Sequence, residues 1–135
     1  MARVRVLTFP RIPDARGTLA VVEAGRHVPF DIRRVFYVYD VPGGADRGAH
    51  AHRALQQVLV CLAGSMDVHL DDGAERRVMH LADPSAGLYI PPMVWASEAN
   101  MAPGTVYMVL ASEHYDESDY YRDYDAFLTA ARAVR

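Results

Sequence analysis

Two histidines separated by one residue, His50 and His52, are the side chains of this sequence best suited to chemistry. On an extended strand, residues two apart project from the same face, so both imidazoles can point to one place. Such a pair can bind a metal ion, exchange protons with a bound molecule, or lie on a strand without any function. Arg47 and Arg53 stand on either side of the pair and would favour an anionic ligand.

Short strand patterns recur along the chain between turns rich in glycine, proline and aspartate. We predict strands near residues 18–23, 33–39, 56–62, 65–70, 75–81, 87–90 and 105–111. In the fourth of these, the apolar Met66, Val68 and Leu70 are expected to face inward. The alternating Asp67 and His69 would then face solvent. Many short strands between regular turns are typical of a β-sandwich or barrel rather than a parallel sheet.

The run Val58–Leu62 is apolar without alternation, which predicts burial on both faces of its strand. In a small sandwich, we expect the second buried face to belong to a subunit interface. Cys61 lies within this run, so we interpret it as a small buried side chain rather than a reactive thiol.

Only the C-terminal tail has a helical pattern. Its apolar side chains recur at spacings of three and four, at Tyr120, Tyr124, Phe127, Leu128, Ala131 and Val134. The preceding acidic residues, Asp116, Glu117 and Asp119, would stabilise a helix N-terminus. We therefore predict one amphipathic helix over about residues 117–133, packed against the sheet.

Composition narrows the class of protein. The chain has 135 residues and a formal net charge of -3, because 17 acidic residues outnumber 14 basic ones, which are all arginine. This balance argues against non-specific binding to nucleic acid. The length predicts a single domain over residues 1–135. We find no apolar segment of signal-peptide length, and no run approaches the roughly 20 apolar residues that span a membrane, so a cytoplasmic location is expected.

The spacing around the histidine pair resembles the first sequence motif of the cupin superfamily. From Gly44 to Gly64 the chain follows G-x5-H-x-H-x4-Q-x6-G, with Gln57 in place of the usual glutamate. A second cupin motif, P-x4-H-x3-N in simplified form, matches Pro91–Asn100, with Ala96 at the position of its histidine. The resemblance implies an all-β cupin jelly roll, also called a double-stranded β-helix, here with a short C-terminal α-helix.

The two departures from the cupin motifs bear on metal binding. A cupin metal centre typically uses three histidines and a glutamate, and this chain keeps only the histidine pair. Gln57 offers a neutral amide and Ala96 offers no ligand, so we expect neither a metal ion nor another cofactor. His80 or Glu98 is the alternative source of a third ligand.

A closer resemblance runs through nearly the whole chain. It is carried by DARGTLAVVE (14–23), RRVFYVYDVPG (33–43), RGAHAHR (47–53), QVLVCLAGSMDVHLDDG (57–73), GLYIPPMVW (87–95) and MVLASEHYDESDYYRDYDAF (108–127). These segments are similar to the sugar 3,4-ketoisomerases, metal-free cupins of deoxyamino-sugar biosynthesis that act on a thymidine-diphosphate-linked (dTDP-linked) 4-keto-6-deoxyhexose. The resemblance implies isomerisation to a 3-keto sugar through an enediol, and a homodimer with exchanged N-terminal strands.

The resemblance also assigns roles to the catalytic side chains. His52 is expected to be the base that removes the proton from C3, and His50 to be the shuttle or acid. An enediolate needs hydrogen-bond donors directed at its oxygens, and Tyr37 in the segment FYVYD is the expected donor.

Cationic and aromatic side chains are expected to hold the substrate. Arginine suits a diphosphate because its planar fork of donors matches the phosphate oxygens. Arg47, Arg53 and Arg122 are therefore the predicted phosphate ligands, with Arg53 at a position where such relatives commonly have lysine. Trp95 is predicted to line the substrate site.

Two other classes of function stay open at this point. A metal-dependent cupin, such as a dioxygenase, would retain stoichiometric metal and lose its activity on chelation. A non-catalytic sugar-nucleotide-binding module would bind the ligand without exchanging its C3 proton. A sugar-nucleotide 3,5-epimerase, which is nearer in fold and mechanism, would also exchange the proton at C5.

Overall fold

The computed structural model describes residues 1 and 3–134, and in this part of the chain nearly all regular structure is β. The strands are β1 (Arg5–Thr8), β2 (Arg11–Asp14), β3 (Gly17–Ala20), β4 (Arg34–Val38), β5 (Arg47–His52), β6 (Gln57–Ala63), β7 (Met66–Asp71), β8 (Arg76–Leu81), β9 (Ala86–Ile90), β10 (Trp95–Ala99), β11 (Val106–Ala111) and β12 (Tyr120–Tyr121). A 3₁₀ helix spans Glu117–Asp119, and α1 spans Tyr124–Ala133.

Two five-stranded antiparallel sheets form the body of the fold. The first has the strand order β1-β9-β6-β11-β4, the second has the order β12-β5-β10-β7-β8, and β2 pairs with β3 in a separate hairpin. Non-consecutive strands lie side by side in both sheets, as in a jelly roll. The predicted all-β jelly roll with a short C-terminal helix is confirmed.

Alternation along the strands buries one face of each sheet in a shared core. On β7, Met66, Val68 and Leu70 are buried while His69 is exposed, so the predicted inward and outward sides of this strand are confirmed. The core between the sheets contains Val4, Leu59, Cys61, Met66, Val68, Leu70, Leu81, Leu88, Ile90, Val94, Ala96, Tyr107 and Val109. Removal of this apolar surface from water is the main stabilising contribution to the fold.

The central strand β6 is buried on both faces over Gln57–Cys61, as its unbroken apolar run predicts, but Leu62 at the end of that run is 42% exposed. The assignment of its second face to a subunit interface is wrong for Val58 and Val60. Their cover comes from the same chain, since they share a buried cluster with Phe9, Val28 and Phe30. The segment between β3 and β4 thus closes the outer side of the first sheet.

All seven predicted strands are present, with ends that differ by at most three residues. The seven ranges do not include β1, β2, β5, β10 and β12, of which β5 is the strand that carries the histidine pair. The hairpin strand β2 is wholly exposed and contains a proline, β10 has the sequence WASEA with few residues that favour strands, and β12 has only 2 residues. Their strand conformation comes from pairing with neighbours, which local sequence does not report.

The helix begins later than predicted. Tyr120 and Tyr121 pair with His52 and Ala51 of β5, so this part of the predicted helix is a strand. Asp116 caps the 3₁₀ helix and Asp123 caps α1. The acidic residues that indicated the helix N-terminus, Asp116, Glu117 and Asp119, therefore belong to the 3₁₀ helix, and α1 has a separate cap.

The helix α1 packs on the outer face of the second sheet, where Phe127 and Ala131 are buried against Ala51. Val134, predicted to lie on the buried face, is exposed. Among the described residues, no helix is both long and apolar enough to cross a membrane.

Candidate active site

The histidine pair lies at the end of β5, as its spacing predicts. His50 and His52 have ring centroids 5.0 Å apart and ring planes at 86°. Just before the pair, β5 carries one extra residue relative to β10, because Ala96 pairs with His50 while Ser97 pairs with Gly48. Such a bulge changes the direction of the side chains that follow it.

Glycine is required at the start of this bulge. Gly48 has φ +81°, and a Cβ atom there would lie 2.1 Å from Oε2 of Glu98. Ala49, the extra residue, also has a positive φ of 63°. The local backbone is thus held in a conformation that costs free energy, and it places His50 beside the interior of the barrel.

His52 contacts a carboxylate from the C-terminal segment. Its Nδ1 lies 3.3 Å from Oδ2 of Asp119, and the imidazole is only 5% exposed. Asp119 is fixed in turn, since its two oxygens accept hydrogen bonds from the amides of Ala54 and Leu55 at 2.8 and 3.2 Å. A carboxylate at Nδ1 favours a proton on that nitrogen and leaves Nε2 free to act as a base.

Tyr120 covers both imidazoles. Its ring centroid lies 4.9 Å from that of His50 and 4.3 Å from that of His52. Asp119 and Tyr120 were missed as site residues because they fit a helical pattern at the sequence level. Only the pairing of β12 with β5 brings them to the histidines.

Burial keeps both imidazoles neutral. Desolvation lowers the pKa of His52 to about 4, with a further contribution from the nearby His50, while Asp119 acts in the opposite direction. The pKa of His50 is also lowered, mainly by burial and next by the charge of Arg122. Two neutral imidazoles in contact can accept a proton and return it at neutral pH.

We expect the acid limb of the pH profile of kcat/KM to lie below the ordinary pKa of histidine, because burial lowers the pKa of His52. If His52 is the base, kcat/KM should stay constant from pH 7 down to about 5 and fall only toward the pKa of His52, about 4. The same shift makes the free energy of unfolding fall as pH decreases from 6.5 toward 4, because the unfolded chain then binds the proton more readily. Circular dichroism at each pH would separate loss of fold from titration of the base, and an acid limb near 6.5 would contradict the expectation.

An interior cavity of about 110 Å³ adjoins His50. Arg47, Glu98 and Tyr107 line it together with Gln57, and Ala96 leaves space where cupins usually have a histidine. Burial raises the pKa of Glu98 to about 6, against the opposing charge of Arg47. Burial and the nearby Glu98 raise the pKa of Tyr107 to about 12. Arg47 therefore lines the cavity close to Glu98 and Tyr107, while part of its surface stays exposed to solvent.

Arg53 is bound to protein groups. Its Nη1 donates to the carbonyl oxygens of Ser118 and Tyr120 at 2.8 and 2.9 Å, and its guanidinium lies 4.0 Å from the ring centroid of Tyr121. These contacts hold the C-terminal segment that carries Asp119. This geometry does not support the predicted role of Arg53 as a phosphate ligand.

We expect Arg53→Met to destabilise the fold by about 1.5–3 kcal/mol, because two charge-assisted hydrogen bonds are lost. Chemical denaturation would measure this change. Arg26→Met is the matched control, since the exposed Arg26 has only a 3.8 Å ion pair with Glu23 and its loss should cost no more than about 0.5 kcal/mol. Unchanged stability with a large loss of TDP affinity would restore the phosphate-binding role.

Two other predicted site residues, Tyr37 and Trp95, face away from the histidine pair within one chain. Tyr37 is 63% exposed and stacks on Tyr39, whereas its neighbours Phe36 and Val38 line the interior cavity. Trp95 packs against Tyr124 and other aromatic side chains beneath α1, on the outer face of the second sheet. Within one chain, neither side chain reaches the histidine pair.

Arg122 lies at the exposed rim of the site. It forms an ion pair with Glu117, at 2.5 Å from Nε to Oε1, and its guanidinium lies 4.2 Å from the ring centroid of Tyr120. Its charge contributes to the lowered pKa of His50. The exposed position of Arg122 fits a substrate entering from solvent.

The alternative metal ligands do not complete a set of donors. His80 bonds through Nδ1 to Asp67 at 2.8 Å, and both lie on the strand pair β7–β8 away from the histidine pair. Glu98 shares the interior cavity with His50, but next to Arg47. Across residues 1 and 3–134, no three side chains of His, Cys, Asp or Glu are grouped so that they could hold a metal ion.

Two facing sheets with a histidine pair at the end of β5 define a cupin-type barrel protein. Residues 2–132 match the family model described as FdtA: WxcM-like, C-terminal, and the chain belongs to this family. The predicted resemblance to the sugar 3,4-ketoisomerases is confirmed, because the relatives of this chain are named as 3,4-oxoisomerases or 3,4-ketoisomerases.

One relative is the TDP-4-oxo-6-deoxy-alpha-D-glucose-3,4-oxoisomerase of Aneurinibacillus thermoaerophilus. It is 47% identical over 123 residues, which cover 91% of this chain and 88% of the relative. A solved structure shows a histidine-to-asparagine variant of the 3,4-ketoisomerase QdtA from Thermoanaerobacterium thermosaccharolyticum in complex with TDP-4-keto-6-deoxyglucose. It is 41% identical, with a TM-score of 0.96, covering 98% of this chain and 96% of that one.

A second solved structure is the TDP-quinovose 3,4-ketoisomerase WlaRB from Campylobacter jejuni. It is 40% identical with a TM-score of 0.92, and the match covers 96% of this chain and 99% of that one. These relatives bear out the predicted enzyme class, an isomerase that interconverts keto and hydroxyl groups.

Proposed function

We propose that this chain is a sugar-nucleotide 3,4-ketoisomerase that converts dTDP-4-keto-6-deoxyglucose to a dTDP-3-keto-6-deoxyhexose without a metal ion. The observation that carries the proposal is the histidine pair, in which His50 is half-buried and the buried His52 is held against Asp119. A neutral imidazole fixed in this way is suited to remove a proton from a carbon next to a carbonyl. The names of the relatives supply the substrate class.

The reaction needs one base and one route for returning a proton. His52 takes the proton from C3, which the neighbouring C4 carbonyl makes acidic, and the electron pair of the C3–H bond forms a C3=C4 double bond. The C4 oxygen becomes the enediolate oxygen. Transfer of the C3 hydroxyl proton to the C4 oxygen and protonation of C4 by the imidazolium then give the 3-keto sugar with a hydroxyl group at C4. The atoms balance without any co-reactant.

The two histidines and Asp119 divide this work. Asp119 stabilises the imidazolium that forms on His52 and keeps its ring orientation during the transfer. His50, with its ring centroid 5.0 Å from that of His52, returns or relays the proton. Arg122 at the rim binds the diphosphate.

We also infer that the chain is a single cupin domain over residues 1–135 and forms a homodimer with exchanged N-terminal strands. The detached hairpin β2–β3 supports exchange, because all eight of its strand residues are exposed and include Ile12 and Leu19. The exposed Val35 and Tyr37 of the edge strand β4 offer an apolar surface for a partner. Analytical ultracentrifugation of Ile12→Glu beside the unaltered protein tests this. A dimer that persists in the variant would contradict the role of the hairpin.

The function is tested by proton NMR of the protein with dTDP-4-keto-6-deoxyglucose in heavy water, with EDTA present. We expect the C3 proton signal to disappear while a 3-keto sugar forms. Exchange at C5 as well would indicate an epimerase, and activity lost with EDTA would indicate a metal-dependent cupin. Binding without any exchange would contradict catalysis and leave a sugar-nucleotide-binding protein. The cytoplasmic location stays a prediction.

A further inference from the structure

The polar residue that β4 directs toward the site is Arg34. Along this strand Arg34, Phe36 and Val38 are half-buried and alternate with the exposed Val35 and Tyr37. The predicted donor Tyr37 therefore faces away from the histidine pair. Arg34, three residues earlier, lies on the other side of the strand.

The guanidinium of Arg34 is held by aromatic rings. It lies 4.8 Å from the ring centroid of Phe36 and 5.5 Å from that of Tyr115. Its Nε is buried and has no hydrogen-bond partner among the described residues. A buried donor without an acceptor costs about 1–3 kcal/mol, so such a group calls for an acceptor that arrives with a ligand.

Arg34 shares a cavity of about 470 Å³ with Asp119 and Tyr120, the two residues that contact His52. Its positive charge also contributes to the lowered pKa of His52. An anion formed beside His52 would therefore be stabilised by Arg34.

The carboxylates that line this cavity already have partners. Glu113 pairs with Arg33 at 3.4 Å, and Asp116 accepts from the amide and hydroxyl of Ser118 at 3.0 and 2.7 Å. Asp119 accepts from two backbone amides and contacts His52. Among the polar groups around the cavity, the Nε of Arg34 thus stands out as a donor with no acceptor.

We propose that Arg34 is a catalytic residue that donates a hydrogen bond to the enediolate oxygen formed when His52 removes the C3 proton. The proposal rests on the proposed ketoisomerase function. As the C3–H bond breaks, negative charge moves to the C4 oxygen, and a fixed guanidinium stabilises that charge more than it stabilises the neutral carbonyl. When the C4 oxygen takes up the proton of the C3 hydroxyl, the charge leaves it and the contact weakens.

The test compares Arg34→Gln and Arg34→Lys with Arg26→Gln as the control, because Arg26 is an exposed arginine that pairs with Glu23 and does not line this cavity. We expect Arg34→Gln to lower kcat and the rate of C3 exchange by about 10²–10³-fold, as for loss of one oxyanion donor. The affinity for TDP, which lacks the sugar, should change less than about threefold, since the donor acts on the reacting oxygen. Arg34→Lys should recover part of kcat, and Arg26→Gln should behave as the unaltered enzyme.

The outcomes separate this proposal from the one on which it rests. An unaltered enzyme that does not exchange C3 would refute the ketoisomerase function itself. If it does exchange C3, an Arg34→Gln variant with kcat within fivefold overturns the role of Arg34 alone. A selective loss of TDP affinity would make Arg34 a diphosphate ligand and also overturn the proposal. Should Arg34→Gln fail to fold, kcat and TDP affinity of the folded Arg34→Lys decide by the same criteria.

Discussion

Replacement of His52 by asparagine is expected to abolish measurable loss of the C3 proton and to lower kcat on the order of 10³-fold or more, as for a lost general base. The imidazole of His52 is 5% exposed and lies against Asp119. A water molecule from bulk solvent therefore cannot readily replace it as the base. Asparagine occupies a similar volume, and its amide can still contact Asp119, so the fold should be kept. Proton NMR in heavy water measures the exchange directly.

His69→Asn is the control for this prediction, because His69 lies on a strand of the same sheet with an exposed side chain. It should exchange C3 at the rate of the unaltered enzyme. His50→Asn adds a second comparison: if His50 returns the proton, C3 exchange should persist while formation of the 3-keto product slows. If His50→Asn blocks exchange and His52→Asn does not, the two roles are reversed.

Asp119→Asn is expected to lower kcat by about 10²-fold or more, since His52 loses the carboxylate that orients its ring and stabilises the imidazolium. The pKa of His52 should fall further, because the charge of Asp119 and its hydrogen bond oppose the effect of burial. The acid limb of kcat/KM would then move to lower pH. A purely structural role for Asp119 would leave that limb in place.

The matched control is Asp116→Asn, which removes a carboxylate from the same segment. Asp116 caps the 3₁₀ helix through Ser118 and is not in contact with His52. We expect a loss of about 0.5–2 kcal/mol in the free energy of unfolding, as for a helix cap, with an unchanged pH profile. Equal kinetic defects in the two variants would mean that the segment acts only by folding over the site.

Alternate side chains of β4 face opposite sides of its sheet. The sequence does not show which of the two sets faces the histidine pair. Tyr37 has a suitable hydroxyl in a segment that resembles the family, yet its side chain points to solvent in the single chain. The sequence around Arg34 does not mark it as a site residue, because an arginine at the end of a strand is usually a surface residue. Its lack of an acceptor becomes visible only once its neighbours are placed.

The sequence by itself determined the β fold, the inward face of β7 and the histidine pair. These follow from alternation of apolar residues and from two side chains on one strand, which are properties of the local chain. It also determined the family, through segments that extend over nearly the whole chain.

The tertiary structure alone decided which partners the histidines have. Asp119 and Tyr120 lie more than 60 residues from His52, and a two-residue strand brings them together. It also decided that Arg53 holds that segment and that Trp95 lies beneath α1. Contacts across such separations depend on the closure of the whole barrel, and no short stretch of sequence specifies them.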